Sequence, residues 1–204
     1  MSASGLLTED NQRDRVLTFE EEERLLACSA EHLKPILVAA LNTGMRIGEI
    51  LSLTWSNVDF DNNLFIITSA NNKSKKIKRV PVNSILSAML RELKIKNQKK
   101  SDYVFLGEDC KPVKDIKTAY INACRRADIK GLHFHDLRHT AGTRMNESGV
   151  GIVAISKILG HSSVELTMKR YIHPEDSLRD AVEKLANFNE TRSKKRSNEN
   201  DNLS

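Results

Sequence analysis

The sequence predicts a mainly α-helical domain with one small antiparallel β-sheet, an α+β class, and three observations predict it. Apolar residues recur at helical spacing on both sides of a single central stretch. That stretch, between Val58 and Val82, has instead β-branched runs broken by Asp61-Asn62-Asn63 and Asn71-Asn72. Glycine or a capping residue stands at most of the helix boundaries. With 204 residues, 39% of them hydrophobic and 29% charged, the chain is long enough to bury one ordinary core and has the balance of a soluble globular protein. No apolar run approaches the ~20 residues of a spanning helix. The opening MSASGLLTEDNQRDR lacks the apolar stretch of a secretory signal, so a cytoplasmic protein with no membrane segment is expected.

Residues 1–16 are polar and of mixed charge, and the sequence reads them as a disordered or linker segment; residues 17–188 form the domain and 189–204 a disordered polar tail. Thr18 with Glu21 makes a capping box that opens the first helix through Leu25 and Leu26. A second helix runs from about Glu31 to Asn42, apolar enough to be deeply buried, with Gly44 placed to end it. A short helix starts near Arg46. Strands are expected at Leu64–Thr68 and Ile77–Val82 within a sheet of two or three strands. Asn83 caps a helix to about Asn97, Tyr103–Leu106 reads as a short extended piece, and Asp115–Ala127 as helix. Helices Phe134–Glu147 and Ile152–Leu159 end at Gly149 and Gly160, the next is capped by Ser162 and Glu165, and an amphipathic one spans about Pro174 to Phe188.

Lys and Arg outnumber Asp and Glu by 32 to 27, a net charge of +5 that permits a polyanionic partner without identifying one. Cys28, Cys110 and Cys124 stand at wide spacing with no CxxC pair, which predicts idle or buried thiols. Chemistry concentrates in four segments: Thr43-Gly44-Met45-Arg46-Ile47-Gly48-Glu49, the lysine-rich turn Lys73-Ser74-Lys75-Lys76 before Val80-Pro81, His135-Asp136-Leu137-Arg138-His139, and Leu159-Gly160-His161 followed by Tyr171. Each segment alone has an ordinary reading as a solvated arginine, a solubilising hairpin tip or satisfied helix histidines. His135 and His139 at i and i+4 also match the spacing of a zinc-binding helix, but Arg138 shares that face and sets a permanent cation beside any metal. Together, two arginines, a lysine, two histidines and a tyrosine supply phosphoryl transfer without a metal. Planar guanidinium forks match two phosphate oxygens, and a phenol with pKa about 10 becomes a usable nucleophile where cations help it ionise.

The order Thr-Gly-Met-Arg-x-Gly-Glu, a basic hairpin ending in Val-Pro, His-x-Leu-Arg-His, and Leu-Gly-His-Ser with a tyrosine downstream resembles the catalytic domain of tyrosine recombinases, the phage integrase family, from about Leu17 to Phe188. The resemblance implies that family's catalytic-domain fold and site-specific DNA recombination through a covalent 3′-phosphotyrosyl link, for integration, excision or inversion, without metal or cofactor. It implies Arg46 and Arg138 on the scissile phosphate, His135 handling the tyrosine proton, His161 hydrogen-bonding a phosphate oxygen, Lys73 protonating the leaving 5′-hydroxyl, and Tyr171 as nucleophile. Glu49 would orient Arg46.

The partner implied is double-stranded DNA. The last helix, whose Ala181, Val182, Leu185 and Phe188 share a face, either packs on its own core or docks on a neighbouring subunit to build a homotetramer on DNA that is weakly associated without it. Two departures from the family pattern stand out. Tyr171 lies ten residues after His161, one more than the usual spacing. The helical core-binding domain that usually precedes the catalytic one is missing, so the chain reads as a fragment or as a short single-domain member. Lys75, Lys76 and Lys78 are the alternatives to Lys73. A type IB topoisomerase, a silent DNA-binding module and a metalloprotease are the rival functions.

Overall fold

The computed structural model describes residues 14–67, 77–97, 100–161 and 163–171. They fall into two compact units, one ending at His161 and the other beginning at Ser162. In the first unit, α1 (Phe19–Ala27) starts at the expected capping box: Thr18 accepts from the Glu21 amide at 3.2 Å, and the Glu21 carboxylate accepts from the Thr18 amide at 3.1 Å. Next, α2 (Lys34–Thr43) begins later than the sequence pattern gave. A helix from Glu31 would have put Pro35 in its interior, against the carbonyl of Glu31. The chain instead makes a turn, with the Leu33 and Lys34 amides both bonded to the Ala30 carbonyl, and Pro35 takes a first-turn position where no N–H is missed. Ile36, Leu37, Ala39, Ala40 and Leu41 are all buried, as a helix apolar on every side requires.

After α3 (Ile47–Leu51) and a single 3-10 turn at Trp55–Asn57, the chain enters an antiparallel sheet of β1 (Val58–Asp59), β2 (Leu64–Ile67) and β3 (Lys78–Pro81), in that order across the sheet. Phe65 pairs with Val80 and Ile67 with Lys78. Phe65, Ile67 and Val80 are buried, so this is the face the sheet turns to the core. Asn83 caps α4 (Ser84–Lys96) by accepting from the Leu86 amide at 3.0 Å, and Leu86 and Leu90 are fully buried on its inner face. Tyr103–Leu106 joins no named strand but makes isolated bridges, Thr54 to Tyr103 and Leu106 to Pro112.

Helix α5 (Lys117–Arg126) is followed by α6 (Phe134–Glu147) and α7 (Ile152–Leu159), the last two with the boundaries read from the sequence. Gly149 and Gly160 have positive φ beyond their ends, which explains why glycine marked them. Helix α6 packs on α2 and α7, and α7 on β3. Burial of a leucine such as Leu137 or Leu159 in these contacts stabilises the unit by about 1.5–3 kcal/mol each.

In the second unit α8 (Val164–Tyr171) is capped by Ser163, whose Oγ accepts from the Leu166 amide at 3.3 Å. The cap therefore falls one residue later than the sequence reading placed it, at the position whose hydroxyl meets the third amide of the helix. The predicted helix from Pro174 to Phe188, both polar ends and Ser162 lie outside the described residues. Among the described residues no helix is long and apolar enough to cross a membrane. The three cysteines are free thiols.

Candidate active site

Two glycine turns build the site of the first unit. Gly44, at φ 63°, ends α2 by bonding its amide to the Ala40 carbonyl at 2.8 Å. A Cβ there would run into Leu159 Cδ2, so glycine suits both the left-handed backbone and the approach of α7. The turn delivers Arg46 to the N-terminal end of α3. Glu49, three residues on, accepts from the Arg46 amide at 3.1 Å and lies 3.4 Å from its guanidinium Nη1. The carboxylate is nearly sealed, with 5% of its side chain exposed, while the Arg46 side chain keeps 48%. Glu49 is thus a buried anchor holding a half-exposed cation, as the sequence expectation for it required.

Arg138 is buried on α6, and its Nη1 donates to the Gly44 carbonyl at 2.7 Å. The two arginines, far apart in sequence, are joined through the turn that precedes one of them. Helix α6 itself starts on Asp136, whose carboxylate accepts from the His133 amide at 2.7 Å. That contact uses the group which a zinc-hydrolase reading needs as a base. His139 is buried while His135 is exposed in the first turn of α6, so the histidine pair does not present one common open face. Among the described residues no cluster of three or more His, Cys, Asp or Glu side chains is placed to hold a metal.

Gly160, at φ 67°, ends α7 by bonding back to the Ser156 and Lys157 carbonyls, and His161 follows with its own amide on the Ser156 carbonyl at 3.0 Å. Behind this turn runs Lys78. Its Nζ lies 3.1 Å from Glu49 Oε2 and 3.4 Å from the Leu159 carbonyl, and its Cε would be 3.2 Å from a Cβ at Gly160. Burial pushes the Lys78 ammonium below the ordinary lysine range; Glu49 opposes that push, and the charges of Arg138 and Arg46 add to it. Two cations, Lys78 and Arg46, thus contact the Glu49 carboxylate, and the charge of Arg138 is felt at Lys78, leaving a surplus of positive charge suited to an anion such as a phosphodiester.

The sequence reading passed over Lys78 as one of several hairpin lysines. The signal was in the alternation: Lys78 has the same parity as buried Val80, on the face turned to the core. Lys73, Lys75 and Lys76 lie outside the described residues. Tyr171 is the last residue of α8 in the second unit, and it is buried. Of the other tyrosines, Tyr120 is held in its neutral form chiefly by burial beside Cys124, its phenol raised far above the ordinary tyrosine value.

A phage integrase family model matches residues 15–177, which include both glycine turns, β3, α6 and α8. The chain belongs to the phage integrase family. The integrase of Salmonella phage P22 is 32% identical over 174 residues, covering 80% of this chain and 44% of that protein. The catalytic domain of the bacteriophage HP1 integrase superposes with a TM-score of 0.60 at 33% identity, covering 76% of this chain and 85% of that one. A Tn1549 transposon integrase solved in complex with a circular intermediate DNA superposes with a TM-score of 0.74 over 90% of this chain and 70% of that one; at 23% identity it speaks for the fold alone. The chain spans about half the length of the curated relatives it matches. Its mostly helical architecture with one three-stranded sheet is the integrase catalytic-domain fold predicted from the sequence.

Proposed function

We propose that the chain is the catalytic domain of a site-specific DNA recombinase that cleaves and rejoins strands of double-stranded DNA in the cytoplasm, for integration, excision or inversion of a DNA segment. The observation that supports it best is the bond from Arg138 to the Gly44 carbonyl, which brings the arginine of one motif onto the turn that presents Arg46 of another. In the reaction, the Tyr171 oxygen attacks the scissile phosphorus as the bond from phosphorus to the 5′-oxygen breaks. His135 takes the phenol proton, and Lys73 gives a proton to the departing 5′-oxygen. Arg46, Arg138 and His161 hold the non-bridging oxygens and offset the charge that builds on them. The 3′-phosphotyrosyl link keeps the bond energy, so a 5′-hydroxyl from another strand reverses the step without ATP. No metal or cofactor enters this scheme. The last helix joins copies of the chain into a homotetramer on DNA.

The test uses duplexes of randomised sequence nicked so that cleavage releases a short fragment, incubated with the chain in EDTA, and a search for a protein–DNA adduct that survives denaturation. An adduct in the wild type that is lost in Tyr171→Phe and in Arg138→Ala is the expected result. Binding without an adduct points to a DNA-binding module, and an adduct that forms only with added magnesium overturns the metal-free scheme.

A further inference from the structure

Lys78 occupies a place that the proposed chemistry does not use. Its stem runs along the core face of the sheet beside Ile67, and only 10% of its side chain is exposed. Its ammonium nevertheless ends on two groups of different elements: the Glu49 carboxylate of α3 at 3.1 Å and the Leu159 carbonyl at the end of α7 at 3.4 Å. Glu49 in turn holds the backbone and guanidinium of Arg46, while Leu159 stands two residues before His161.

We propose that Lys78 is a positioning residue whose ammonium, by bridging Glu49 and Leu159, fixes the turn that presents Arg46 and the turn that presents His161 at one common spacing. The inference rests on reading Arg46 and His161 as phosphate-binding residues. A methionine in place of Lys78 would fill nearly the same apolar path but leave the sealed Glu49 carboxylate facing Arg46 alone. The guanidinium, half exposed, would then be drawn toward that carboxylate and away from a phosphate, and the His161 turn would lose its tie to α3. Gly160 belongs to the same device, because a side chain there would meet the lysine stem.

The experiment compares the full 204-residue chain with Lys78→Met and Lys78→Arg. Single-turnover cleavage is measured on the nicked duplexes that the wild type captures as a covalent adduct from the randomised pool, alongside nitrogen-15 spectra of the arginine Nε–H groups and histidine rings. Lys78→Met is expected to cleave roughly tenfold to a hundredfold more slowly with DNA affinity retained, and to shift the Arg46 and His161 resonances. Lys78→Arg, whose fork keeps the charge and both acceptors, is expected to return rate and resonances close to those of the wild type.

A substrate with sulfur in place of the leaving 5′-oxygen needs no proton donor. It should rescue Lys73→Met and leave Lys78→Met slow. Rescue of Lys78→Met by that substrate would make Lys78 the proton donor itself and overturn the proposal, as would a wild-type rate in Lys78→Met. If Lys78→Met fails to fold, the pair Lys78→Met with Glu49→Gln removes both buried charges and is expected to fold and remain slow; wild-type cleavage by that pair would overturn the proposal. If even the wild type forms no adduct, the recombinase reading falls, and the spectra alone decide whether Lys78 sets the two turns: unchanged Arg46 and His161 resonances in Lys78→Met would refute it.

Discussion

The two glycine turns have nearly the same backbone, φ 63° at Gly44 and 67° at Gly160, yet they are held by different means. The first is closed by shape: Leu159 presses where a side chain would go, and the buried Arg138 is bonded to the Gly44 carbonyl. The second is backed by a charge on a long stem, Lys78, which would have to give by only a few tenths of an ångström to admit a Cβ at Gly160. Shape and charge therefore divide the labour, and the arginine-bearing turn should be the stiffer of the two.

Substitution at the glycines breaks that comparison most directly. Gly44→Ala adds a left-handed backbone cost of about 1–2 kcal/mol to an overpacking cost of about 1–3 kcal/mol, and urea titration should read a loss near the sum. Next in size is Glu49→Gln, which leaves the Lys78 ammonium and Arg46 without their shared anion; a loss of about 1.5–3 kcal/mol is expected in the same titration. Gly160→Ala meets only the movable lysine stem, so its loss should stay near the backbone cost of about 1–2 kcal/mol. A Gly160→Ala variant as unstable as Gly44→Ala would show that charge holds its turn as rigidly as shape does.

The smallest effect sits away from both turns. The Tyr120 phenol is raised in the folded state, so its contribution is fully present below the ordinary tyrosine value of about 10 and is lost as pH rises beyond it, because only the unfolded chain then ionises. Tyr120→Phe should accordingly lose less stability than the wild type between neutral pH and pH about 11, read by thermal melts across that range.

Much of the fold was legible because its boundaries are chemical. Thr18 with Glu21, Asn83, Gly149 and Gly160 marked helix ends that the structure keeps, since capping is a local matter between a side chain and amides a few residues away. Pro35 sets the late start of α2, which the apolar pattern from Glu31 had run through. The exposure of the arginines was not legible. Nothing near Arg138 in sequence foretells its burial, because the carbonyl that receives it belongs to Gly44, in the turn after another helix and 94 residues away. Lys78 lay between these cases: the two-residue alternation placed it on the inner face, but only the meeting of α3, α7 and β3 supplied partners for a charge there.

Helix α6 is gripped at more than the end that bears Arg138. The Leu17 amide donates to Thr140 Oγ1 at 2.9 Å, and the Leu17 carbonyl accepts from Arg144 at 3.1 Å. Chain entering the fold at Leu17 is therefore hitched to the same rod as the buried arginine, at a point two residues, or about 3 Å of helix rise, from it. A pull on that entering segment is a pull on the arginine's own helix, so tension applied at the edge of the domain arrives at the buried Arg138 with little slack between.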